Sequence, residues 1–113
     1  MKTELAAKGV RTVGAGDAVA NGSVVPYYLE ELKRRISVAR IDNRLYAFED
    51  LCPCGTDACP LSSGLLTGTT LMCQCHGSRF DISTGAVISG PAKQPLHVYE
   101  AQESDGEIQI HLA

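Results

Sequence analysis

The chain has 113 residues, enough for one domain around one modest core and too few for a catalytic domain beside a metal module. Its net charge of -3 offers no electrostatic footprint to nucleic acid and sits more easily with a basic redox partner. Residues 1–10 carry Lys2, Glu4 and Lys8 without the apolar stretch of a secretory signal, and no run approaches the about eighteen apolar residues of a membrane span, so a soluble cytoplasmic protein is expected.

Short apolar and β-branched runs separated by Gly, Asp and Asn predict a small all-β barrel or sandwich, with no internal repeat and no linker. Residues 10–13 read as the first strand and 14–22 as a loop; Gly14-Ala15-Gly16 does not continue as a dinucleotide fingerprint and belongs to that loop. Residues 24–32 read as a second strand, in which Pro26, lacking an N–H, favours an edge position. Residues 29–35 have helical propensity, but their setting between β-rich runs argues for strand and turn. Residues 35–41 and 45–48 alternate around Asp42-Asn43, two residue types that tolerate the positive φ of a tight hairpin. Later strands are expected over 86–88, 96–101 and 107–112, with Ser104-Asp105-Gly106 turning the last hairpin.

Between these runs lie five cysteines, Cys52, Cys54, Cys59, Cys73 and Cys75. In a reducing compartment such a cluster argues for metal ligation over a disulfide scaffold, and the odd number argues against complete pairing. Cys73-Gln74-Cys75-His76-Gly77-Ser78 has the look of a metal-binding hairpin loop. Its Cys73 and His76, at Cys-x-x-His spacing, supply soft and borderline ligands suited to iron or zinc, and a tight turn presents both to one centre. The upstream cysteines stand where a second loop meets it.

The chain resembles the Rieske ferredoxin family, whose pattern is Cys-x-His, a gap, then Cys-x-x-His. The resemblance spans roughly residues 8–112. It rests on Tyr46-Ala47-Phe48-Glu49-Asp50 before Cys52, Pro60-Leu61-Ser62 before Gly64, the run from Cys73 to Asp81, Thr84-Gly85, and Gly90-Pro91-Ala92 before Pro95-Leu96. It implies a Rieske-type antiparallel β sandwich or barrel over residues 1–113, with a small subdomain whose loops, about 51–64 and 72–92, grip a [2Fe-2S] cluster. In the family one iron is held by two thiolates and the other by two histidines.

This sequence departs from that pattern in its first loop, where Cys52-Pro53-Cys54 stands in place of Cys-x-His, with eighteen residues between Cys54 and Cys73. Two registers are open. In the preferred one Cys52, Cys54, Cys73 and His76 are the iron ligands. In the other Cys54 leads, Thr56 replaces the histidine, and one iron is left with an open position. Cys75, and Cys59 in the second register, fall where the disulfide-bearing branch of the family places its pair, so Cys59–Cys75 is a candidate disulfide, two buried thiols being the alternative. By resemblance Ser78 occupies the position of a hydroxyl donor to a cluster sulfide, and Phe80 that of a tyrosine which donates to a ligand thiolate in high-potential relatives. Gly77 is expected to allow close backbone approach, and Gly90-Pro91-Ala92 to cover the cluster.

The ligand change alters charge. Two ferric ions and two sulfides sum to +2, so two thiolates with two neutral imidazoles give an oxidised core of 0, whereas three thiolates with one imidazole give -1. A more negative core, with fewer hydrogen bonds to sulfur, is harder to reduce. His76 is the candidate proton-linked group. His97 and His111 read as ordinary strand residues, and Lys33-Arg34-Arg35 as a solvated turn in preference to a docking patch.

These features imply a one-electron carrier without a substrate pocket of its own. It would pass electrons from a flavin-type ferredoxin reductase to a terminal oxygenase or similar acceptor, and engage neither nucleic acid nor membrane. Two readings compete: a clusterless Rieske-fold small subunit of a larger reductase, as in nitrite reductases, and a zinc-binding interaction module.

Overall fold

The structure is a computed structural model that describes residues 9–30, 33–51, 60–75, 77–90, 92 and 94–112. Asp42 and Asn43 take φ of 51° and 67°, the mirror-image turn whose twist matches that of flanking strands. They join β3 (Arg34–Ile41) to β4 (Arg44–Glu49) in the expected register, Ile41 opposite Arg44 and Ile36 opposite Glu49. The last hairpin turns in the same way at Asp105 and Gly106, joining β9 (Val98–Ser104) to β10 (Glu107–His111).

β1 (Val10–Ala15) pairs with β10, and β2 (Val24–Leu29) with β3, so that one six-stranded sheet runs β1-β10-β9-β4-β3-β2. Pro26 therefore lies on an edge strand, as its missing donor requires. β1 is longer than expected: Gly14 and Ala15 belong to the strand, beyond a bulge after Thr12, and not to the following loop. The helical propensity of residues 29–35 is overridden, since Leu29 closes β2, Lys33 turns at φ 51° and Arg34 opens β3. Two later strands begin after their expected starts: Val87–Ser89 is β8, and β9 begins at Val98, which leaves His97 just outside it. His97 stacks on Tyr99 with ring centroids 4.5 Å apart.

The second sheet, β5-β6-β7-β8, was not visible in the sequence as a set. It consists of β5 (Leu65–Thr67), β6 (Thr70–Met72), β7 (Arg79–Asp81) and β8. Each strand has three residues, too few to show a period.

Alternation along β3 and β4 divides the interior in two. Ile36, Val38 and Ala47 join Val19, Leu29, Ile108 and Ile110 inside the curl of the large sheet. Ala39 and Phe48 face the opposite way, onto Leu61, Leu71, Cys73, Phe80, Ile82, Ala92 and Leu96 of the small sheet and its loops. A strand covered on both faces reads as a nearly continuous apolar run, and Ile36 to Ala39 is buried throughout. The small sheet is thus mounted on the back of the β3–β4 hairpin. Among the described residues no helix is long and apolar enough to cross a membrane.

Inside the curl the Tyr27 hydroxyl is buried without a hydrogen-bond partner, and burial raises its pKa above the usual 10.0. Tyr27→Phe removes an orphaned polar group, so it should be neutral or stabilising by up to about 1 kcal/mol in urea unfolding. A folded pKa above the unfolded one means that stability is lost as pH rises past 10.0. The variant should lack that component.

Candidate metal centre

The β6–β7 pairing sets Met72 opposite Arg79 and leaves residues 73–78 as the connecting loop. This is the expected hairpin loop, and its ends are held by backbone bonds: the Cys73 N–H donates to the Ser78 carbonyl at 2.7 Å, and the Gly77 N–H to the Cys73 carbonyl at 2.9 Å. Gly77 turns at φ 81° with open space where a Cβ would lie. The left-handed φ by itself favours glycine here, and the close backbone approach to a cluster expected of Gly77 stays a proposal. The two bonds draw Cys73 into the core, fully buried and with its thiol retained, and leave Gln74 and Cys75 exposed at the tip.

Cys75 is disulfide-bonded, and its partner lies outside the described residues. So do Cys52, Cys54, Cys59, His76 and Pro91, which leaves the four-ligand set and the Cys59–Cys75 pairing as proposals. Among the described residues no three Cys, His, Asp or Glu side chains gather as a metal site.

Ser78 is fully buried and its hydroxyl accepts the Ala92 N–H at 3.0 Å. This bond ties the loop that holds Ala92 to the hairpin of residues 73–78. Gly90 explains how the loop comes so close: a Cβ there would lie 2.5 Å from the Ser78 Cα. Because the oxygen is the acceptor, the Ser78 O–H proton stays available for a sulfur acceptor. Phe80 is fully buried in the core that also holds Cys73, and brings no hydroxyl to that position.

The other loop is framed by Asp50, to which the sequence alone assigns no role beyond its place before Cys52. Its carboxylate, with 1% of the residue exposed, receives the Ser62 N–H at 2.6 Å, the Ser62 hydroxyl at 3.0 Å and the Arg35 Nε–H at 2.7 Å. Its own N–H donates to the Arg35 carbonyl at 2.9 Å. Ser62 sits in a 3-10 turn, Leu61–Ser63, whose Leu61 is fully buried. Arg34 lies 3.4 Å from Glu49, so the two arginines of the Lys33-Arg34-Arg35 run face acids of this chain. A groove of about 260 Å³ lined by Tyr28, Arg35, Asp50, Leu51 and Pro60 opens beside the loop, and Tyr28 and Leu51 are each about half exposed.

A buried thiol at the root of a tight hairpin, a hydroxyl with a spare proton and a neighbouring loop tied to that hydroxyl suit a sulfur-rich cluster, and the family model of the Rieske [2Fe-2S] domain matches residues 10–100. The chain belongs to the Rieske [2Fe-2S] family. Among Rieske relatives, Ferredoxin CarAc of Metapseudomonas resinovorans is 36% identical over 75 residues, 66% of this chain and 68% of that protein. The ferredoxin component of the naphthalene 1,2-dioxygenase system of Pseudomonas putida is 26% identical over 106 residues, 94% of this chain and 97% of its own. The fold matches the Sphingomonas yanoikuyae B1 ferredoxin with a TM-score of 0.83 at 28% identity, covering 91% and 98% of the two chains. A similar match, TM-score 0.81 at 29% identity over 90% and 92%, is to a chain in the complex of oxygenase and ferredoxin of carbazole 1,9a-dioxygenase. The all-β Rieske architecture and the [2Fe-2S] cofactor follow, and the relatives are electron carriers, not catalytic subunits.

Proposed function

We propose that this Rieske protein is a cytoplasmic ferredoxin that accepts single electrons from a flavin-type reductase and delivers them to a terminal oxygenase, through a cluster held by Cys52, Cys54, Cys73 and His76. The observation that carries it is the hairpin of residues 73–78, which buries one ligand thiol and holds Gln74 and Cys75 at the surface. An electron carrier needs such a centre, shielded yet near the tip. The ferredoxins named for dioxygenase systems, and the ferredoxin–oxygenase complex among the structural matches, support an oxygenase as the acceptor. The exposed Tyr28 and Leu51 beside the first loop offer apolar contact to a transient partner.

When bound, the cluster supplies a reversible one-electron step between its two oxidation levels. The chain's own part is to exclude water from the Cys73 side, to direct the Ser78 proton at sulfur and to hold the covering loop through Ala92. With a core one charge more negative than the two-histidine form, the expected potential lies between the roughly -150 to +300 mV of two-histidine clusters and the about -400 mV of all-cysteine ones. Spectroelectrochemical titration should show this intermediate value and a rise in Cys54→His, which restores the family's ligand type. A wild-type potential well above 0 mV would exclude a third thiolate.

A further inference from the structure

Asp50 directly follows β4, the last strand before the first ligand loop, and Ser62 lies in the turn that follows that loop; their two hydrogen bonds close residues 51–61 at the root. Arg35, on β3, fixes the same carboxylate to the large sheet. We propose that Asp50 is the positioning residue of the first ligand loop, setting where its cysteines stand relative to the hairpin of Cys73; this rests on the reading of the loop as a cluster ligand loop.

The demand is chemically specific. Three donors converge on one side chain: the Ser62 N–H on Oδ1, and the Ser62 hydroxyl and the Arg35 Nε–H on Oδ2. Only an acceptor-only group satisfies all three. In an asparagine the NH2 would face a donor in either flip, and the Arg35 guanidinium would lose its counter-charge. A glutamate would move the stem by one methylene. The clamp is also anchored on both sides, by Leu61 in the core under the small sheet and by the Asp50 N–H on the β3 backbone. A change here is therefore felt in the loop between, without reaching the second hairpin directly.

Groups that orient metal ligands typically change metal affinity by about 10–100-fold when removed. Asp50→Asn should release iron to a chelator faster by about that factor and shift the reduction potential. Ile110→Ala, in the other core, serves as a control of comparable or greater thermal destabilisation. Hydrogen–deuterium exchange over residues 52–59 of metal-free protein reads the loop without the cluster. It should rise in Asp50→Asn and stay at the wild-type level in the control.

Iron release, potential and exchange in Asp50→Asn that match the control would overturn the inference while leaving the carrier reading intact. A wild type without iron or sulfide, in which Asp50→Asn still loosens residues 52–59, would remove the carrier reading and keep the clamp. If neither the cluster nor the loosening is found, both fall.

Discussion

Cys52→Ala and Cys54→Ala should each fold and yet fail to retain a complete cluster after anaerobic purification, while Thr56→Ala keeps iron and sulfide at the wild-type level. With three thiolates and one imidazole as the ligands, removing either first-loop thiolate opens a position on one iron, and a neutral methyl group cannot fill it. The opposite register makes a different forecast: Cys52 is dispensable and Thr56 stands at the vacant corner. The pair Cys52→Ala and Thr56→Ala therefore separates the registers, and retention of the full cluster in Cys54→Ala would remove that residue from both. Circular dichroism on the same samples checks that cluster loss is not loss of fold.

Phe80→Ala should cost about 3–5 kcal/mol in guanidinium unfolding of the metal-free protein, the range for emptying a buried aromatic site. Phe80 is fully buried and belongs to the core that includes Leu61, Leu71, Cys73, Ile82 and Leu96. Its strand has only three residues, three of them paired with β6 and two with β8, which leaves few other contacts to hold the small sheet. Tyr28→Ala, at a side chain 58% exposed, should fall within about 0.5 kcal/mol of wild type. An equal effect of the two substitutions would mean that the small sheet does not depend on this core. Acid offers a milder probe of the same sheet. The Ser83 hydroxyl and N–H, the main causes, hold the Asp81 carboxyl below its usual 3.8. That contribution is full above 3.8 and lost as pH falls through the lower folded value.

Local chemistry made part of this structure legible. Asp42-Asn43 announced its hairpin because few residue types accept positive φ, and Pro26 announced an edge because it lacks a donor. The Cys73–Ser78 loop was legible because two ligand types at turn spacing have few other uses. The three-residue strands β5 to β7 were not, since a period cannot be read in so short a run. Nor was the bond from the Ala92 N–H to the Ser78 hydroxyl, which joins residues 14 apart in sequence through the fold alone. Asp50 shows the same limit. Its place before Cys52 is plain in the sequence, but its hydrogen bonds are to Ser62 and Arg35, brought to it only by tertiary packing.

In the proposed [2Fe-2S] centre, sulfur takes a place that the family pattern gives to a histidine nitrogen. Pulsed electron paramagnetic resonance of the dithionite-reduced, anaerobically purified protein, which counts nitrogen ligands through their couplings, tests it most directly. The expected result is a signal from a reduced [2Fe-2S] cluster coupled to a single histidine nitrogen ligand. Coupling to two such nitrogens, or no cluster signal from protein that contains zinc without sulfide, would contradict it.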